Sequence, residues 1–272
     1  NGNGEFSFSF YPEKDNNLPY WRNYLSFEAS AVVTDSKGES QEANTTFSVG
    51  SASIILSSNL KDKVEKSSSE IIVSAKTLNG ESISTKGTYT LIRLVDTEKN
   101  DEFQEKEVAA SGHFTSETAI KNVLKKLESG RYRLRIEAND SKNRPVKTED
   151  DFILYGNDDK QPPTFVHLWT IEKKTVCDPG EDAQIVFGTS DKNAYVLYEW
   201  FKNSECIKRE RIEMSNENRT FRIPFDKSFG DGIVLVFTFV KDGKLYTVQS
   251  NVIKKQPDRN LTLKPTVFRD KL

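Results

Sequence analysis

Cysteine, histidine and methionine are nearly missing from this chain. Its 272 residues include two cysteines (Cys177 and Cys206), two histidines (His113 and His167) and one methionine, Met214. Two cysteines without a Cys-x-x-Cys spacing, and with histidine far off in sequence, make a poor zinc or redox motif. An excess of one charge is missing too. The 39 Lys and Arg stand against 41 Asp and Glu, a formal net charge of −2, so no basic field invites nucleic acid. No run of 18 apolar residues occurs, so no membrane span is expected in this segment. The Gly-x-Ser-x-Gly elbow and the spaced Asp-x-Asp-x-Asp calcium loop are both absent. No nucleophile–base pair and no metal constellation is readable, so the chain is expected to be non-catalytic, with no cofactor and no metal.

What the chain has is aromatic residues on alternating strands: 17 Phe and 9 Tyr, within a hydrophobic content of 35%. Three stretches share one layout. Tyr24–Thr34 alternates, turns at Asp35-Ser36-Lys37-Gly38, and returns to Phe47–Gly50. Tyr132–Asn139 turns at Asp140-Ser141-Lys142-Asn143 and returns to Phe152–Gly156. Ile233–Val240 turns at Lys241-Asp242-Gly243 and returns to Val252-Ile253. Period-2 alternation marks half-buried strands, and Asp-Gly-type turns close hairpins because they tolerate positive φ. The turns recur about every hundred residues, the length of an immunoglobulin-like sandwich. The expected fold class is therefore all-β: tandem immunoglobulin-like antiparallel β-sandwich domains.

The hairpins set the expected boundaries. Residues 1–49, with Phe6, Phe8 and Phe10 alternating, read as the back half of a truncated sandwich. Residues 50–156 read as one complete sandwich and 157–264 as a linker followed by another. Residues 265–272, with Thr266-Val267-Phe268-Arg269, read as the start of a next domain. Both edges are thus expected to be cut from a longer protein. Asn79-Gly80 is a strong hairpin signal. Ala119, Ile120, Val123, Leu124 and Leu127 fall at helical spacing, which predicts a short helix over 117–127 with Ser116 as its cap. Asn157–Pro163 reads as a proline-closed linker, and Val166–Trp169 as the first strand after it.

Few residues invite chemistry. Cys177 and Cys206 either pair within the second sandwich or stand as two separate small residues; one sequence gives no geometry. His113 and His167 lie in different modules with no nucleophile setting nearby. The acidic clusters Glu149-Asp150-Asp151 and Asp158-Asp159 read as solvated charge rather than calcium ligands. Tyr11, Tyr20, Trp21 and Tyr24 read as packing residues rather than a sugar-stacking platform.

Several motifs together resemble one family. They are Asp35-Ser36-Lys37-Gly38-Glu39 with Ser48-Val49-Gly50, Leu78-Asn79-Gly80-Glu81-Ser82 before Lys86-Gly87-Thr88-Tyr89, Ser129–Leu134 with Asp140-Ser141, Asp178-Pro179-Gly180-Glu181, and Phe268–Leu272. Over nearly its whole length the chain is similar to the macroglobulin-type domains of bacterial α2-macroglobulin-family proteins. The resemblance implies a periplasmic or cell-surface protein whose anchor lies outside this segment. In that family a string of sandwiches supports a cleavable bait and, in many members, a thioester. The thioester sequence Cys-Gly-Glu-Gln is absent here, since Cys177 precedes Asp178-Pro179 and Cys206 precedes Ile207-Lys208. The implied role is therefore a non-catalytic scaffold segment of a protease-trapping inhibitor. Its partners would be neighbouring domains of the same polypeptide, and proteases through the full-length parent. The rival reading is an immunoglobulin-like binding or adhesion module for glycan or protein at the cell surface, because function resides in sites grafted on a fold. An exposed aromatic set around Trp21 or Trp200 would favour that rival.

Overall fold

The computed structural model describes residues 24–96 and 103–256, together with residues 7, 9 and 11. The alternation at Phe6–Phe10 and the strand expected at Thr266–Arg269 lie outside the described residues. The chain divides into two compact units, Asn1–Asp159 and Lys160–Leu272. The boundary falls within the proline-closed stretch 157–163.

Among the described residues, the first unit has β1 (Tyr24–Thr34) and β2 (Ser40–Gly50), an antiparallel hairpin forming a sheet of its own. Its sandwich follows: β3 (Ile54–Ser58), β4 (Lys63–Glu65), β5 (Val73–Thr77), β6 (Lys86–Asp96), β7 (Phe103–Thr115), β8 (Gly130–Asn139) and β9 (Pro145–Tyr155). Strands β3 and β5 pair alone, and the other sheet runs β4-β9-β8-β6-β7. The second unit holds β10 (Trp169–Lys174), β11 (Val176–Cys177), β12 (Asp182–Thr189), β13 (Ala194–Lys202), β14 (Glu205–Met214), β15 (Glu217–Pro224), β16 (Gly232–Lys241) and β17 (Lys244–Lys254). Its sheets run β10-β12-β15 and β11-β17-β16-β13-β14. Pairing is antiparallel except at β4–β9 and β11–β17, where a short early strand lies parallel to the last one. The fold is an all-β, immunoglobulin-like arrangement of two sheets about each core.

Alternation places each core. Along β8, Tyr132, Leu134 and Ile136 point inward and are buried, while Arg131, Arg133 and Arg135 point the other way. They meet Ile71, Val73, Leu91, Phe152 and Leu154 in the first core. In the second, Phe237 on β16 stacks on Phe187 of β12 at 4.3 Å and on Tyr198 of β13 at 4.7 Å. Burying a side chain of this size contributes about 1.5–3 kcal/mol by transfer alone.

The three hairpins form where the sequence places them. Asp35 Oδ1 accepts the backbone N–H groups of Lys37 and Glu39 at 2.8 and 2.9 Å. Asp140 Oδ1 accepts those of Lys142 and Arg144, both at 2.9 Å. The two turns are built alike because a short carboxylate mimics the backbone acceptor a turn needs. The third uses positive φ at both central residues, 48° at Asp242 and 76° at Gly243, the tight type that matches strand twist. The Asn79-Gly80 turn also closes, with Gly80 N–H donating to Thr77 C=O at 3.0 Å, but it returns a single bridge, Lys76↔Ser82, rather than a second strand.

Two expectations need correction. No α-helix spans 117–127; one 3-10 turn, Leu124–Lys126, is all that is helical. Glu117 and Asn122 both sit at φ 61°, which breaks a right-handed helix. Ser116 does not cap a helix. Its hydroxyl donates to Ile83 C=O and accepts Thr85 N–H, tying the segment down, while Ile120 bridges Ile71 where a further strand of the small sheet would lie. Helical spacing here reports which residues of an irregular segment face the core. The first strand of the second unit starts at Trp169, not Val166, because Val166 bonds to the β12–β13 turn through Ser190 N–H and Ser190 Oγ.

Tyr132, near the start of β8, donates its hydroxyl to Glu128 C=O at 2.9 Å and accepts from Arg93 Nη1 at 2.8 Å. A tyrosine bonded back to backbone four residues upstream is the tyrosine corner of immunoglobulin-like sandwiches. Burial pushes its hydroxyl pKa up, against the pull of Arg93.

Candidate functional site

Most strongly perturbed ionisable groups in the first unit serve the fold. Besides the two turn amides, Asp140 accepts Ser53 N–H (3.0 Å), Ser53 Oγ (3.1 Å) and Arg144 Nε (2.8 Å) through Oδ2. Burial disfavours its charge, but the Arg144 guanidinium and the converging N–H groups outweigh that and hold the carboxyl well below the usual range. The carboxylate thus fastens the last hairpin to the start of β3.

On the outward face of the same sheet, ions form a ladder. Arg133 grips Asp151 with two bonds, 2.7 and 2.9 Å, and Arg135 donates to Glu149 and to Glu105 across β6, both at 2.6 Å. Lys147 completes it at 2.8 Å from Glu149. Hydrogen bonding to Asp151 raises Arg133 still further above its high ordinary value; burial works against Glu149, yet Lys147 and Arg135 lower its pKa. Asp150, on the opposite side of β9, accepts Ser58 Oγ at 2.7 Å, and Asp159 accepts Ser129 Oγ and Gly156 N–H. The acidic residues around 150 and 159 are therefore engaged with protein donors. Among the described residues no group of three or more His, Cys, Asp or Glu could hold a metal ion, and no helix is long and apolar enough to cross a membrane.

The second unit holds a pairing that sequence reading missed. His167 Nδ1 lies 2.7 Å from Asp191 Oδ2, with the His167 ring stacked on Tyr246 at 4.3 Å. Thr189 Oγ1 donates to the same carboxylate at 3.2 Å, and Ser190 Oγ donates to Thr164 C=O at 3.3 Å. Each hydroxyl is turned to a structural acceptor, so this clasp holds the incoming chain against the β12–β13 turn and activates no nucleophile. The twenty-odd residues between His167 and Asp191 hide the pair from any local motif. His113 lies on β7, beside an open depression of about 610 Å³ lined by Lys86, Gly87 and Phe114. Gly87 is required there: an added Cβ would come 2.1 Å from Glu137 C=O.

Cys177 and Cys206 are free thiols. Cys177 is buried on β11 and Cys206 exposed on β14, at opposite edges of one five-stranded sheet. Four strand spacings of about 4.8 Å separate those edges, several times the reach of a disulfide. Burial raises the Cys177 thiol. Of the aromatic set, Tyr20 and Trp21 lie outside the described residues, Tyr11 is exposed, and Tyr24 is half-buried on β1. Trp200 is no open platform, since Lys208 Nζ lies over its ring at 4.6 Å and Phe229 meets it edge-on.

No family model and no curated protein matches the chain. Among solved structures it is similar to an α2-macroglobulin from Salmonella reacted with methylamine, at 13% identity and a TM-score of 0.33 over 86% of this chain. It is similar to trypsin-activated α2-macroglobulin from Escherichia coli at 14% identity and 0.31 over 87%. It is also similar to a Ca²⁺-stabilised ice-binding adhesin of an Antarctic bacterium at 12% identity and 0.23, covering 85% of this chain and 57% of that one. The chain spans 17% of the length of each macroglobulin. The sandwich architecture stands on strand order, register and the tyrosine corner, independently of these scores.

Proposed function

We propose that this chain is a non-catalytic scaffold segment of a larger exported protein of the α2-macroglobulin kind, holding other parts of that protein in place until a protease cuts it. The observation that carries the reading is where the polar groups go. Asp140, the arginine ladder and the His167–Asp191 clasp each close one strand, turn or sheet onto another within a unit. Such groups stiffen modules and leave their chemistry consumed by the fold. The sequence motifs that resemble macroglobulin-type domains support the same reading, as does the missing Cys-Gly-Glu-Gln. On this reading the expected compartment is the periplasm or cell surface, and the domains are 1–49, 50–156, 157–264 and 265–272.

The test uses the isolated chain and the parent protein. The 272-residue piece at stoichiometric ratio is expected to leave a panel of endoproteases uninhibited and to hydrolyse nothing. In the parent, Phe237→Asp is expected to abolish trapping by unfolding a module, while Lys142→Glu at an exposed turn leaves it intact. Inhibition by the isolated piece, or trapping that survives Phe237→Asp, overturns the scaffold reading.

A further inference from the structure

The five-stranded sheet of the second unit turns an apolar face outward. The outward row of its middle strand, β16, is Val234, Val236, Thr238 and Val240, and β13 adds Leu197 and Phe201 beside it. Val240 and Leu245, paired across the hairpin, are 63% and 68% exposed. Single exposed apolar residues are ordinary, whereas a contiguous row across neighbouring strands marks an interaction surface. We propose that this face is the contact surface of a homodimer, in which two copies of the chain pack sheet against sheet.

Three observations favour a second copy as the occupant. First, β16 and β13 are the two inner strands of the four long ones, β17-β16-β13-β14. A two-fold axis running between them would set the valine row of one copy on the Leu197–Phe201 row of the other, and β14 over the second copy's β17. Such an interface is self-complementary, as a two-fold contact must be, and flat sheets stack about 10 Å apart in this way.

Second, the charges fit. Glu199, the carboxylate on the inner strands of the face, is 7% exposed and accepts Arg209 Nε at 2.7 Å, so covering it strands no lone charge, while Glu213 lies at the rim on the edge strand β14. Arg211 lies over the ring of Tyr195, its centre 4.3 Å away. The same two-fold would bring these β14 arginines over Thr247, Gln249 and Asn251, the neutral outward row of β17, so like charges do not meet.

Third, the area suffices. Four strands at about 4.8 Å and nine residues at about 3.4 Å give roughly 600 Å² per copy. That is about 1,200 Å² in total, the lower bound for a specific interface, which sets the expected Kd in the micromolar range. This inference stands apart from the scaffold reading and survives its failure.

Sedimentation equilibrium of the full chain, from roughly 1 to 200 µM, reads the outcome. The expected result is a monomer–dimer equilibrium that Val240→Lys and Leu245→Lys each weaken at least about tenfold, the effect of a buried unpaired charge. Both side chains are more than half exposed, so lysine there leaves the core untouched, which circular dichroism verifies. Ser111→Lys, exposed on β7 of the first unit, should leave the equilibrium unchanged. A wild-type chain that is monomeric throughout overturns the proposal, and so does a dimer indifferent to both lysines. It is equally overturned if a chain ending at Gln256 dimerises where the full chain does not, because residues 257–272 would then be the occupant.

Discussion

Both sandwiches run their larger sheet in the same order, a short parallel strand, then the last hairpin, then two strands reaching the far edge. They differ in everything that order does not require. The first covers its outward face with the arginine ladder, and its small sheet has two strands, with the 116–127 segment standing where the second has β15. The second completes a three-stranded small sheet and runs an apolar strip along the middle of its larger sheet's outward face. Inward alternation and the three turns are therefore enough to dictate topology. The outward rows bear little of that burden and can be charged in one module and apolar in the next.

The largest expected effect tests whether the two cores are separate. Phe237→Ala empties a site stacked on two aromatic rings and should cost about 3–5 kcal/mol, in the second unit alone. Calorimetry is expected to show one of two transitions moving; both moving together would mean a single cooperative fold. Next, Tyr132→Phe removes the corner of the first unit. It leaves Glu128 C=O and Arg93 short of a partner and should cost about 1–2 kcal/mol there, read as a lower urea midpoint for that unit.

Acid should then single out the first sandwich. The folded pKa of Asp140 lies below its unfolded value of about 3.9. Its stabilising contribution is complete above that value and fades as pH falls toward the folded pKa. Asp140→Asn should therefore weaken the first unit at neutral pH and flatten its acid dependence between about pH 5 and pH 2. A variant that titrates like wild type would show that other carboxylates govern acid unfolding. The smallest effect is expected from the ladder itself. Arg135→Ala should change stability by about 1 kcal/mol or less, shrinking further in high salt, because its charges keep some contact with water.

The readable part of this fold was the part that is local. β1–β2, β8–β9 and β16–β17 each announce themselves by alternation and a turn of fixed chemistry, so their existence and limits follow from neighbours in sequence. The 116–127 segment misleads because Ala119, Ile120, Val123 and Leu124 face one core without being helical, and spacing alone does not separate the two cases. Strands β4 and β11, three and two residues long, carry no period to detect. Asp140 was legible as a turn residue, whereas its grip on Ser53 was not, and neither was the meeting of His167 with Asp191. Tyr132, just after Ser129-Gly130, offered a signal for the corner that alternation alone did not reveal. The apolar face of the second unit was likewise written in Val234, Val236 and Val240, but a row beside a buried row reads as one hydrophobic strand until register separates the faces.

The parallel strands have a consequence for how the protein is made. Lys63–Glu65 pairs with Ile153–Tyr155, and Val176-Cys177 with Ile253-Lys254, so each module closes by joining nearly its first strand to its last. Loop closure over that distance comes late, and topologies dominated by such contacts fold slowly. Neither sandwich can finish until its final hairpin has been synthesised. A module still lacking its closing strand therefore stays open along the edge that strand will fill, and it locks once that strand arrives.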